Sequence, residues 1–284
     1  MFTRLRNKVE ALHKSDIEEL HYIAPRSSLP SIMQHGILSH KRAVALATHH
    51  EDVSNSQVQF RRDSVLVPRA DTTKGRLALH RHANLYLNAH NPMLFVLVWE
   101  KVAGRYELKP GVNTQFAHQE LCVLRIHREI LERPDVMLST CNAAVDGVKF
   151  FSPAKEDPLY SPRSAYCLTA ERIPGYEKAR GQIRQAEALF PYQIDPSYIG
   201  GIFVSCNESL EAVRNVLITE GFPSLSVVVN SSLFYLEKPF VPLSQFAPLI
   251  PMSAEERAHL HTNLPESSPE NSDDEGEVEG AGPA

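Results

Sequence analysis

Three stretches of this chain hold residue types at spacings suited to chemistry. Glu187 stands in RQAEALF between Ala186, Ala188, Leu189 and Phe190, at a predicted helix-to-strand junction where a carboxylate is partly stripped of water. Such a group is either paired or poised for proton work. Arg61 and Arg62 close VQFRR and place two guanidiniums side by side. His80 to Glu100, HRHANLYLNAHNPMLFVLVWE, sets histidines, asparagines and a tyrosine directly before the longest apolar run. Taken singly each is weak, because an arginine pair is ordinarily a solvated face and a glutamate after a short helix ordinarily a surface residue.

The elements that must position these groups follow from pattern. Met93 to Trp99 (MLFVLVW) is too short for a membrane span and predicts a strand buried on both faces, with a turn at Asn91-Pro92. The polar lead-in is then an edge or loop fixed by core, as binding sites on rigid scaffolds are. Upstream, residues 1–19 predict an amphipathic helix, His21 to Ile23 a short strand, and SLPSIMQHGILS a helix opened by Pro30, capped at Ser27 or Ser28 and stopped at Gly36. Arg42 to Asp52 reads as loop or short strand. Further strands are predicted at Glu120 to His127, Val136 to Leu138, Ala186 to Phe190, Ile199 to Val204 and Ser226 to Asn230. A short helical ILERP segment closes at Pro134, Ser152 to Tyr166 reads as loop, Glu177 to Gln185 as a basic helix, and Glu208 to Glu220 as a helix ended by Gly221. Many short strands among modest helices, with no repeat, argue for an α+β fold with an antiparallel-rich sheet.

Composition bounds the rest. With 284 residues, 43% of them hydrophobic, the chain can bury one large core or two small ones. No apolar segment approaches the roughly twenty residues of a membrane helix, and the first twenty residues carry charge throughout, so a cytoplasmic location is expected. Residues 266–284 hold seven acids and no Lys or Arg; removing them from the formal −5 leaves the remainder near +2. That balance tolerates a polyanionic partner, and the tail has the composition of a disordered segment. The expected organisation is a helical extension over 1–19, a catalytic unit over 20–262 and a disordered acidic tail over 263–284.

No GxGxxG, GxxxxGK[ST], GxSxG, HExxH or paired CxxC occurs, which disfavours nucleotide-fold enzymes, triad hydrolases and zinc sites. Cys122, Cys141, Cys167 and Cys206 are too scattered for a disulfide framework and read as buried or free thiols. His49-His50 and His80-x-His82 lack partners at ligand spacing, so no metal is expected.

Together the segments resemble the DarT-type DNA ADP-ribosyltransferases. The likeness runs in order through LHYIAPRSSLPSIMQHGILSH (20–40), VQFRR (58–62), HANLYLNAHNPMLF (82–95), ELCVLRI (120–126), CNAAVDGVKFF (141–151), QAEALFP (185–191) and IGGIFVSC (199–206). It implies an ADP-ribosyltransferase-like fold in which split, mixed or antiparallel central sheets with flanking helices form an NAD cleft. The implied reaction moves ADP-ribose from NAD, the co-substrate, to a nucleobase of single-stranded DNA and releases nicotinamide. It also implies a macrodomain antitoxin, DarG-like, that reverses the mark.

Carried over residue by residue, the resemblance makes Glu187 the catalytic glutamate and lets Arg61-Arg62 cover the NAD-contacting and catalytic arginine. It puts His21, Tyr22, Ile23, Gly36, Asn84 and Tyr86 on the cofactor side, and His82, Asn88, Asn91, Asn142, Arg180 and Arg184 on the substrate side. Physical chemistry agrees with these roles. Cleaving the bond to nicotinamide builds positive charge on the ribose, which a carboxylate stabilises, and a guanidinium suits a pyrophosphate. A base must be unstacked to react, so Tyr86 or His82 could stack on it while Arg69, Lys74, Arg76, Arg180 or Arg184 meet phosphates.

Where relatives commonly read HDYANLYF this chain has His80-Arg81-His82-Ala83, and where they read DGNAA it has Thr140-Cys141-Asn142-Ala143-Ala144. An acid is lost at each place. Two other readings therefore stand beside the leading one: transfer to RNA or protein, and a nucleic-acid-binding relative without turnover.

Overall fold

The structure is a computed structural model that describes residues 17–46, 61–70, 75–111, 116–153, 184–237 and 243–263. Its centre is β1 (Glu19–Pro25), which pairs antiparallel with β8 (Leu121–His127) through all seven of its residues. Both strands alternate strictly. Leu20 and Ala24 face the same side as Cys122, Leu124 and Ile126, while Glu19, His21, Ile23, Val123 and Arg125 face the other. Glu19 and Leu20 are thus strand, not the end of a helix, because Leu20 is needed in the core. Ile17 and Glu18 before them are not helical either, and residues 1–16 of that expected helix lie outside the described residues.

β1 is followed by α1 (Leu29–His35), β2 (Ile37–Leu38), α2 (His40–Ala45), a hairpin of β3 (Leu66–Pro68) and β4 (Arg76–Ala78), and β5 (His82–Tyr86). Next come α3 (Pro92–Val98), β6 (Trp99–Val102), β7 (Arg105–Leu108), β8, β9 (Met137–Ser139) and β10 (Phe150–Phe151). The chain closes with β11 (Glu187–Pro191), β12 (Gln193–Ile194), β13 (Ile199–Val204), α4 (Asn207–Thr219), β14 (Val227–Val229) and α5 (Ala254–Asn263). Eight strands form one sheet in the order β10-β9-β11-β5-β1-β8-β13-β14, antiparallel except for the parallel β13–β14 pair. The α+β, antiparallel-rich expectation holds. Within that single sheet β5 and β1 share one paired position, His21↔Tyr86.

Core lies on both faces. On one, Leu20, Ala83, Leu85, Leu124, Ala188, Phe190 and Ile202 meet Leu29 and Met33 of α1, Val213 and Leu217 of α4, and Leu260 of α5. On the other, two separate apolar clusters form: Ile23, Val123 and Phe203 beneath Leu94 and Val98 of α3, and Met137 with Leu189 beneath Val67, Leu79 and Ala143. The polar residues of β1, β5 and β11 occupy the sheet between them.

Three expectations are corrected. MLFVLVW is not a strand: Pro92–Val98 is α3, with Pro92 in its first turn and the Asn91 side chain accepting from Met93 N at 2.7 Å. An Asn cap followed by Pro nucleates helix, and burying Leu94 and Val98 at a spacing of four residues outweighs the β propensity of the run. Arg42 to Ala45 belongs to α2, capped by Ser39, whose hydroxyl accepts from Arg42 N. The expected ILERP helix is a 3-10 turn, Arg128–Glu132. The expected loop from Ser152 and helix from Glu177 lie almost wholly outside the described residues. Among those residues no helix is long and apolar enough to cross a membrane.

Candidate active site

Glu187 opens β11 and sits opposite Tyr86, Tyr86 sits opposite His21, and His21 opposite Arg125. Residues paired across a sheet share a face, so these four side chains form one row over β11, β5, β1 and β8. The Glu187 side chain is fully buried. Its Oε1 lies 3.7 Å from an Arg62 terminal nitrogen and takes a hydrogen bond from Asn84 Nδ2 at 3.5 Å, and the Ala143 backbone N–H reaches the carboxylate as well. Oε2 is buried with no hydrogen-bond partner. Burial pushes the Glu187 carboxyl above the ordinary range, and Arg62 and the Ala143 N–H only partly oppose this. The same burial, with the negative charge of Glu187, raises the Tyr86 phenol.

The backbone around Glu187 is clamped. Its N–H donates to Ser139 Oγ at 2.9 Å, and that hydroxyl donates to Cys141 O at 2.6 Å. Asn142 donates to Gln185 Oε1 at 3.1 Å while its own Oδ1 accepts from Ala144 N at 2.9 Å. The 139–144 segment is thereby tied to both ends of the Gln185–Glu187 turn into strand.

The structure separates other expected residues. Arg62 is buried against Glu187 whereas Arg61 is exposed, so the pair resolves to one inward guanidinium. Ile23 packs in the α3 cluster and Tyr22 against the core of the opposite face. Gly36 ends α1 at φ +78, where an added Cβ would stand 2.1 Å from Ile194 O; backbone geometry alone requires glycine there. His82, at the far end of β5 from Tyr86, is buried and shares a hydrogen bond with Ala78 O at 3.1 Å. Burial holds its imidazole down to about 4, so it is an uncharged anchor in the sheet.

Asn88 accepts from His90 N at 2.9 Å. Asn91, fully buried, caps α3 and donates to Arg184 O at 3.0 Å, which ties that cap to the approach to Glu187. Arg180 and Lys74 lie outside the described residues. Arg69 lines a separate cleft of about 350 Å³ with Arg42, Arg133 and Tyr192, and Arg76 is exposed on β4. Among the described residues no group of His, Cys, Asp and Glu could hold a metal ion.

Two residues of this face escaped the sequence reading. Glu19 and Arg125 form a buried ion pair with Arg125 Nε at 3.1 Å from both carboxylate oxygens and a terminal nitrogen 2.6 Å from Oε2. The available signal was Arg125 inside the apolar run LCVLRI, since an arginine in a buried strand requires a partner.

A buried, unevenly paired carboxylate beside an inward arginine can stabilise positive charge that develops on a bound molecule. The chain belongs to the family described as ssDNA thymidine ADP-ribosyltransferase, DarT, whose family model matches residues 21–235. A relative, a DNA ADP-ribosyl transferase–DNA ADP-ribosyl glycohydrolase fusion protein of Thermosipho africanus, is 26% identical over 234 residues. That match takes in 82% of this chain and 53% of the fusion, so the chain spans about half the length of that relative. The fold is that of Thermus sp. 2.9 DarT in complex with ADP-ribosylated ssDNA (TM-score 0.61, 16% identity, covering 80% of this chain and 100% of that one). It is likewise that of the same protein in complex with NAD+ (TM-score 0.53, 16% identity, 78% and 98%).

Proposed function

We propose that this chain transfers ADP-ribose from NAD to a nucleobase of single-stranded DNA and releases nicotinamide. Thymidine is the acceptor that the family description names. The observation that carries this reading is Glu187: buried in the sheet, bonded through Oε1 and bare at Oε2, beside Arg62. A buried acceptor without a donor is costly, and a ribose hydroxyl is the donor that would relieve it.

The residues divide the work. As the glycosidic bond to nicotinamide breaks, positive charge grows on the ribose, and the Glu187 carboxylate, in a water-poor setting, gains most from that charge. Arg62 favours its ionised form and supplies the positive charge that suits a phosphate or pyrophosphate. The raised affinity of Glu187 for a proton also fits it to take one from the attacking base nitrogen. Asn84 and the Ala143 N–H hold the carboxylate in place.

The catalytic unit is proposed to span 20–262, because Met252 and Leu260 pack into the main core. It is proposed to act in the cytoplasm, where NAD and exposed single strands occur together, and to have a DarG-like macrodomain counterpart. The fusion relative, named for both a transferase and a glycohydrolase, supports that pairing.

Incubation with NAD and a panel of oligonucleotides tests the reading. One ADP-ribose of added mass on a single-stranded DNA is expected. Mass gain on RNA or lysate protein alone would move the acceptor, and NAD binding with no transfer to anything would leave a binding relative.

A further inference from the structure

The Glu19–Arg125 pair lies on the same sheet face as Glu187 and has no part in the chemistry above, yet it touches the row. Glu19 Oε1, which already takes the Arg125 Nε–H, also lies 2.9 Å from His21 Nε2. His21 is fully buried and its other ring nitrogen, Nδ1, has no hydrogen-bond partner. Burial alone would raise the Glu19 carboxyl, but His21 and Arg125 outweigh it and hold it down to about 2. An ionised carboxylate only accepts, so the proton between the two residues belongs to His21 Nε2. In the neutral ring Nδ1 is then the acceptor. The row thus holds two buried polar atoms without hydrogen-bond partners, His21 Nδ1 and Glu187 Oε2, on either side of Tyr86.

We infer that Glu19, clamped by Arg125, is a positioning residue that fixes the His21 tautomer, so that Nδ1 accepts a hydrogen bond from the nicotinamide-riboside end of NAD. The inference rests on reading this face as the NAD cleft. Arg125 is itself immobilised: its guanidinium lies 4.6 Å from the centre of the Phe203 ring, and a terminal nitrogen donates to Ala247 O at 3.3 Å. A carboxylate so held leaves the imidazole one tautomer and one ring orientation, as carboxylates behind ligating histidines do.

Glu19→Gln separates positioning from simple support. Arg125 is a donor only, so the glutamine oxygen turns to it and the NH2 faces His21, which moves the ring proton to Nδ1. Two measurements on the full chain decide the matter. In protein labelled with 15N-histidine, with His21→Gln giving the assignment, wild type is expected to show the proton on Nε2 and Glu19→Gln the proton on Nδ1. In steady state, kcat/KM for NAD is expected to fall roughly tenfold, the worth of one hydrogen bond to the substrate.

Glu19→Met/Arg125→Met replaces the whole buried pair by apolar side chains, which commonly keeps stability. It is expected to keep the wild-type melting temperature and still to show the loss in kcat/KM. A wild-type His21 with its proton on Nδ1, or a double variant with full kcat/KM, would overturn the inference. Binding of ADP-ribose and NAD distinguishes the donors, since loss for both places a ribose hydroxyl on Nδ1 and loss for NAD alone the carboxamide. A wild type with the Nε2–H tautomer that binds no NAD overturns the cleft reading instead, and with it the substrate contact.

Discussion

His21 and Tyr86 are the single paired position through which β1 and β5 are joined, although β1 matches β8 along its full length. Across β11, β5 and β1 the residues Glu187, Tyr86 and His21 follow one another in register. Tyr86 sits between the other two, with the buried carboxylate on one side and the buried imidazole on the other.

Glu187→Gln should stabilise the protein while disabling it. The folded carboxyl has a raised pKa, so the folded state holds its proton above pH 4.5, where the unfolded chain has released it. That contribution to stability is complete below pH 4.5 and is lost as pH rises through the folded value. The variant lacks the penalty, and at pH 8 its melting temperature is expected to exceed that of wild type, with the gap closing toward pH 4.5. Its rate of transfer should fall about 10²-fold or more with little change in NAD affinity. Melts across pH and single-turnover rates check both halves.

Arg61 and Arg62 should part sharply. Arg62→Lys keeps the charge but gives up the planar fork beside Glu187, and a loss of roughly 10- to 100-fold in kcat/KM for NAD is expected. Arg61→Ala, at an exposed position, should stay within about twofold. Equal losses in the two variants would mean that the guanidinium facing Glu187 is not the one that matters.

Asn91→Ala removes a helix cap and a tether in one step. The α3 amide at Met93 and the carbonyl of Arg184 each lose their partner, and the expected cost is about 1–2 kcal/mol by urea unfolding. Because Arg184 lies three residues before Glu187, the rate of transfer should fall further than stability alone explains.

Much of this architecture was legible because local rules and burial agreed. The Pro-opened, Gly-ended α1, strand β8 and helix α4 all combine a clear period with punctuation at their ends, and each formed where expected. MLFVLVW misled because its bulky, branched residues suit a buried strand, while the deciding signal was the Asn-Pro cap just before it. Glu187 was conspicuous as one acid in an apolar setting. Arg61 and Arg62 could not be told apart, since neighbours in sequence differ only by which way the backbone turns them. Arg125 in its apolar run called for a partner, but which acid it meets was hidden because Glu19 is 106 residues away and reaches it only through strand register.

His82 marks where a polar residue beside the cleft serves the sheet, and acid exposes it. Its folded pKa is about 4 against an ordinary 6.5, so between those values the unfolded chain binds the proton and the folded state does not. Stability is therefore complete above pH 6.5 and falls as pH drops through that window, by up to roughly 3 kcal/mol. His82→Asn keeps a donor in the place of Nδ1, facing Ala78 O, and cannot titrate. At pH 7 it should cost less than about 1.5 kcal/mol, and between pH 6.5 and 4 it should lose less stability than wild type, as urea unfolding at each pH would show. Oligonucleotide affinity should be unchanged, because a side chain buried in the sheet has no face to stack on a base; a large drop in affinity in a variant that remains folded would return His82 to the substrate side.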